Sequence, residues 1–151
     1  MTLELRMHSG KAFPELAQPH WKWVEDPLFS HALHEDDTPV AILRIFERRV
    51  YFPCIEIKAL GIGGVFVPEH LRGRGYGSAL VRESIEALRR AKTKPLLLLF
   101  SRDRTLYANF GFQPIHRTGR EFLWALSLTP EIEVSEGYTE TPWMLDNQAH
   151  F

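Results

Sequence analysis

Apolar and polar residues alternate along 2–7 (TLELRM), the two-residue period of a strand with one wet face. The stretch 14–27 is broken by Pro14, Pro19 and Pro27, which leaves room only for short helical turns. Residues 28–34 start another strand, and the acidic turn Glu35-Asp36-Asp37-Thr38-Pro39 closes it. Residues 40–52 (VAILRIFERRVYF) predict a long strand with a bend near Glu47. A further strand over 54–67 is interrupted by Gly61, Gly63 and Gly64, the sign of a bulge or a close backbone approach. After a glycine-rich loop over 68–76, residues Leu80, Val81, Ile85 and Leu88 recur at helical spacing, and Arg89, Arg90 and Lys92 suit the helix C-terminus. Residues 96–100 (LLLLF) read as a buried strand, 102–110 as a short helix stopped by Gly111, and 112–115 with 121–128 as a last strand pair around Thr118-Gly119. Strands, then strand–helix–strand–helix, then strands: the order predicts a mixed sheet in an α+β or α/β layered fold.

Composition narrows the class. A chain of 151 residues with 44% apolar content predicts one domain spanning 1–151 with a real core. Net charge is −1, so there is no broad basic field for nucleic acid. The apolar run 96–100 is far too short to span a bilayer, and residues 1–11 lack the apolar block of a signal peptide. Cys54 is the one cysteine, which precludes an internal disulfide or a four-cysteine zinc site and fits a reducing, cytoplasmic compartment. The seven histidines show no spacing such as HExxH, so no metal site is expected. Cys54 reads as a small strand residue, and Trp21, Trp23, Trp124 and Trp143 as core or lid packing, with Trp21 and Trp23 able to wall an acceptor pocket.

The segment from Val65 to Ser78 carries the chemistry. A strand ends, a tight loop follows, and an amphipathic helix begins at once. A helix start offers about four unpaired backbone N–H groups and roughly half a positive charge. Glycines at 73, 75 and 77 remove the side chains that would hold a phosphate away from those groups, and Arg72 and Arg74 add charge beside them. Two nucleotide motifs fail in detail. A GxxxxGK[ST] loop needs a lysine before the serine, but Tyr76-Gly77 precedes Ser78. The GxGxxG fingerprint lacks its third glycine at 78.

The loop does fit the acetyl-coenzyme A signature Arg/Gln-x-x-Gly-x-Gly/Ala, as Arg72-Gly73-Arg74-Gly75-Tyr76-Gly77. Here the chain resembles the GCN5-related N-acetyltransferase (GNAT) superfamily, and the likeness continues through the helix, the 96–100 strand and Leu106-Tyr107-Ala108-Asn109-Phe110-Gly111-Phe112, over residues 40–115. The resemblance implies a mixed, mostly antiparallel central sheet of six to seven strands flanked by helices, with a splayed strand pair. It also implies that the backbone of Val65, Phe66 and Val67 pairs with the pantetheine arm of acetyl-CoA, while Arg72, Gly73, Arg74, Gly75, Tyr76, Gly77 and Ser78 hold its pyrophosphate. In the placing of the Arg48-Arg49-Val50-Tyr51 strand, the Leu106-Tyr107-Ala108 element and a tryptophan-bearing C-terminal tail the chain is more loosely similar to aminoglycoside 2′-N-acetyltransferases, from which it departs at Gly63, where that subfamily carries a glutamate.

The implied reaction is direct acetyl transfer from acetyl-CoA to an amine of a small molecule or peptide, without an acyl-enzyme. Tyr107 stands where the family often places the donor that protonates the leaving sulfur. Glu56 is the first candidate for the base, and a base acting through water is an equal alternative; Glu69 and His70 read as surface residues. Glu25, Asp26, Glu56 and Asp146 would suit a cationic acceptor. The rival readings are a non-catalytic coenzyme A-binding sensor and an enzyme using a longer acyl thioester. The tail after Thr129 is expected to add a closing strand, cover the acceptor cleft or pair with a second subunit, which leaves a homodimer open.

Overall fold

The computed structural model describes residues 2–9, 27–51, 56–92, 94–103, 105–118, 121–130 and 144–145. Trp21, Trp23, Glu25, Asp26, Cys54, Trp143 and Asp146 lie outside the described residues. Eight strands and one α-helix are present among them: β1 (Leu3–Ser9), β2 (Phe29–Glu35), β3 (Thr38–Tyr51), β4 (Glu56–Phe66), α1 (Tyr76–Ala91), β5 (Leu96–Ser101), β6 (Gln113–Thr118), β7 (Glu121–Ser127) and β8 (Met144–Leu145). The hydrogen-bonded order is β1-β2-β3-β4-β5-β7-β6, with β8 added to β3. β4 and β5 run parallel, while β1–β2, β2–β3, β3–β8, β5–β7 and β6–β7 are antiparallel, so the sheet is mixed and mostly antiparallel.

The chain divides into two compact units, Met1–Phe46 with Gly63–Ala87, and Glu47–Ile62 with Leu88–Phe151. In the first, β2 and β3 meet through Asp36 and Asp37, both at positive φ (47° and 71°), which is the twist a two-residue hairpin demands. That tip is tied to β1: the Thr2 amide donates to Asp36 Oδ1 at 3.1 Å, and Arg6 pairs with Asp37. A register shift at Leu33/His34 sets His34 opposite Pro39, so the proline falls where the ladder is already irregular. Tyr76, Ala79, Leu80, Val81 and Ser84 on α1 are buried, as the helical spacing predicts. Ser84 Oγ lies 3.0 Å from His31 Nδ1, and both side chains are buried. Arg44, fully buried on β3, donates from Nη1 to Ser30 Oγ at 2.6 Å.

In the second unit β5 is buried along Leu96–Leu99, on both faces, as its unbroken apolar run predicts. Val50, Ala59, Leu96, Leu98, Ile115, Leu123 and Ala125 form one core cluster, with Ile57 and Phe100 packed against it. The β4–β5 ladder runs from Ala59↔Leu96 to Ile62↔Leu99, and β4 continues past it to Phe66. The helix expected over 102–110 is instead a loop ending in one 3₁₀ turn at Ala108–Phe110. Its reason is local. The Asp103 carboxylate accepts from the amides of Thr105 and Leu106, both at 2.9 Å, so the segment folds as a side-chain-capped turn and stops at Gly111. β8 pairs Val50↔Leu145 and Tyr51↔Met144, so the tail does supply a short strand.

Burial holds His31 well below its ordinary value, at about 4. The imidazole is neutral in the fold and takes up a proton more readily unfolded. Stability attributable to it is therefore complete above pH 6.5 and lost as pH falls from 6.5 towards 4, roughly 3 kcal/mol in all. His34 is shifted in the same direction by burial. Urea unfolding across this window should show the loss in wild type and a visibly flatter profile in His31→Asn.

Candidate functional site

The first unit contains the whole segment from Val65 to Ser78. β4 leaves the sheet at Phe66 after Gly64, whose φ is +61°. Pro68 and Glu69 then accept from the amides of Leu71 (2.9 Å) and Arg72 (3.2 Å), closing one 3₁₀ turn. The first bond into α1 runs from the Ala79 amide to the Gly75 carbonyl at 3.0 Å. Between these two points lie the backbone N–H groups of Gly73, Arg74, Gly75, Tyr76, Gly77 and Ser78, and no described group accepts a hydrogen bond from them. Such a run at a helix N-terminus is a built-in anion cradle.

The glycines matter for two different reasons. Gly73 (φ +80°) and Gly75 (φ +82°) adopt a backbone shape that L side chains rarely take, yet a Cβ on either would meet nothing within 4 Å. The space over them is open. At Gly77 a Cβ would touch Val67 Cγ2 at 3.6 Å, ordinary contact distance.

Side chains around the loop hold it in place. The Tyr76 ring is buried, and its hydroxyl donates to Glu35 Oε2 at the tip of the β2–β3 hairpin. Of the residues expected to hold a cofactor, Tyr76 can thus offer its amide and not its side chain. Arg72 Nε donates to the Val67 carbonyl at 3.0 Å, and its guanidinium carbon lies 5.8 Å from the Phe66 ring centroid. Arg72 therefore braces the strand end, and the Val67 carbonyl is already engaged. Val65, Phe66 and Val67 are half-buried, while Gly73, Arg74, Gly75, Glu69 and His70 are exposed.

Glu56 and Tyr107 belong to the second unit. Glu56 begins β4, exposed, with Oε1 3.5 Å from Arg49 Nε. This is a solvated surface ion pair. Tyr107 precedes the 3₁₀ turn and packs edge-on against Phe112, ring centroids 6.0 Å apart. Burial, helped by the Asp103 charge, raises its phenol above the ordinary 10.0, while the amides of Leu106 and Thr105 hold Asp103 below the usual carboxylate range. Tyr107 is accordingly a neutral O–H donor at any physiological pH.

Sequence reasoning missed Glu35, which lies far from Tyr76 along the chain and has no periodic signal linking it to the loop. It also missed Asp103, for which the short pattern Asp-x-Thr-Leu was a usable turn signal. Among the described residues no group of three His, Cys, Asp or Glu is placed to hold a metal ion, and no helix is long and apolar enough to cross a membrane.

The segment between β4 and α1 lies within the part of the chain that a known family model matches. The model of the acetyltransferase (GNAT) domain matches residues 6–115, and the chain belongs to that family. No curated protein matches it. Among solved structures, a GCN5-related N-acetyltransferase from Kribbella flavida is 29% identical with a TM-score of 0.52, over 58% of this chain and 22% of that one. A GNAT family acetyltransferase from Brucella melitensis, in complex with acetyl-CoA, is 24% identical with a TM-score of 0.52, over 75% of this chain and 67% of that one. Eis1 from Mycobacterium abscessus shares 12% identity with a TM-score of 0.55, over 76% of this chain and 32% of that one. The latter two show likeness of fold. The chain spans about a fifth of the length of the Kribbella protein.

If strain alone governs the loop glycines, Gly73→Ala and Gly75→Ala each cost about 1–2 kcal/mol, because the added Cβ meets no atom but the backbone must stay left-handed. Gly77→Ala stays within about 0.5 kcal/mol. Denaturant midpoints of the three variants against wild type check this ranking.

Proposed function

We propose that the protein is an N-acetyltransferase that moves the acetyl group of acetyl-CoA directly onto an amine of a small molecule or peptide. The observation that carries this reading is the run of backbone amides from Gly73 to Ser78 with no described acceptor, beneath the open space over Gly73 and Gly75. A diphosphate needs donors of that kind and that access. Arg74, exposed in the same loop, adds charge, and the backbone of Val65 and Phe66 is offered to the pantetheine arm.

Acetyl-CoA supplies a thioester whose carbonyl is open to attack by a neutral amine. The C–N bond forms as the C–S bond breaks, the amine loses a proton and the departing sulfur gains one. We assign that second proton to the Tyr107 hydroxyl, kept protonated by its burial beside Phe112 and by Asp103. Holding amine and thioester together supplies much of the remaining rate. Glu56 sits in an exposed ion pair with Arg49, which supports proton removal by water rather than by this carboxylate. A cytoplasmic setting is part of the same proposal.

Gly77→Glu should abolish coenzyme A binding in calorimetry while circular dichroism stays native; retained affinity would overturn the reading of the loop. Tyr107→Phe should lower kcat about 10²-fold with little change in KM for acetyl-CoA. Glu56→Gln should leave turnover within a few-fold. Acetylation assays with polyamines, aminoglycosides and peptide N-termini separate the enzyme from a sensor that binds coenzyme A and transfers nothing.

A further inference from the structure

The two ends of the sheet are finished differently. β6, at one end, carries Pro114 and a register shift between Pro114 and His116 opposite β7, two devices that stop an edge from pairing further. β1, at the other end, has neither. Its seven residues pair with β2 in unbroken register from Leu3↔Glu35 to Ser9↔Phe29, and among the described residues no strand occupies its outer side.

The side chains of β1 sort by face. Leu3, Leu5 and Met7 share a face with Glu35, Leu33 and His31, the face on which Tyr76 and Ser84 of α1 reach Glu35 and His31. The helix covers β2 there but leaves β1 uncovered: Leu3 is 47% exposed and Met7 68%. Glu4, Arg6 and His8 take the opposite face. Arg6 bridges Glu4 (2.9 Å) and Asp37, and a guanidinium with five donors can accept one more carboxylate partner.

We propose that β1 pairs antiparallel with β1 of a second copy of this chain, in the register that sets Leu5 opposite Leu5 across a two-fold axis. The pattern is self-complementary in that register. Glu4 of each copy faces Arg6 of the other, giving two opposite-charge cross-strand pairs on one face. Leu3 faces Met7 on the other face, so the exposed residues of both copies join in one apolar stripe flanked by the two α1 helices. A one-residue slip would set the apolar residues of one copy opposite the charged residues of the other, on the same face of the joined sheet. An isologous interface of this kind closes on itself and does not propagate.

Sedimentation equilibrium of the full chain should show reversible dimerisation, weakened at least tenfold by Leu3→Lys combined with Met7→Lys. Register is read by oxidative cross-linking in a Cys54→Ser background. Leu5→Cys should give a disulfide dimer, because residues opposite each other in an antiparallel pair have Cα atoms about 4.5–5.5 Å apart. Met7→Cys, displaced from the axis, should not. A wild-type chain that stays monomeric at all concentrations overturns the proposal, as does a dimer whose mass is unchanged by the double lysine variant. Equal cross-linking at positions 5 and 7 overturns the register.

Discussion

Backbone N–H groups must find acceptors, and the stretch from Gly73 to Ser78 is where this chain leaves that demand unmet by its own described carbonyls. Everything nearby serves to keep it so. The Pro68–Leu71 turn closes on itself, the Ala79 amide takes the Gly75 carbonyl, and Arg72 takes the Val67 carbonyl, so four nearby acceptors are engaged elsewhere. The glycines make the sharp path affordable in conformational terms and keep it uncovered.

The loop is also braced from outside. Tyr76 is both the first residue of the helix and a buried tether to Glu35, whose own position depends on the Asp36–Asp37 hairpin. That hairpin leans on β1 through Thr2 and Arg6. A chain of short polar contacts thus links the N-terminal strand to the helix start within one unit. Such a chain is stiff only when every link is present, since each partly exposed pair is individually weak.

Much of this was legible in the sequence wherever one residue type had one physical use. Leu80, Val81, Ile85 and Leu88 recur at the spacing of a helix's buried stripe, and 96–100 reads as a buried strand, buried in the structure from Leu96 to Leu99. The glycine spacing gave the loop. What was not legible depended on partners distant along the chain or on side chains competing with backbone. Asp103 captured two amides and turned an expected helix into a capped loop. Arg49 claimed Glu56, and Glu35 claimed the Tyr76 hydroxyl, pairings that no periodicity encodes. β3 passes through Glu47 as one continuous strand, Thr38–Tyr51. Arg48 lies buried, its Nη1 donating to the Glu47 carbonyl at 2.8 Å.

The parallel ladder between β4 and β5 carries a kinetic consequence. Ala59 and Leu96 become neighbours only after the loop and all of α1 have been threaded between them. Closing so long a loop costs entropy before any pairing returns it, whereas the β6–β7 hairpin can zip locally. Folding of this sheet therefore has a slow step that is topological in origin, and a newly made chain must keep the Leu96–Leu99 run out of wrong associations until the crossover is complete.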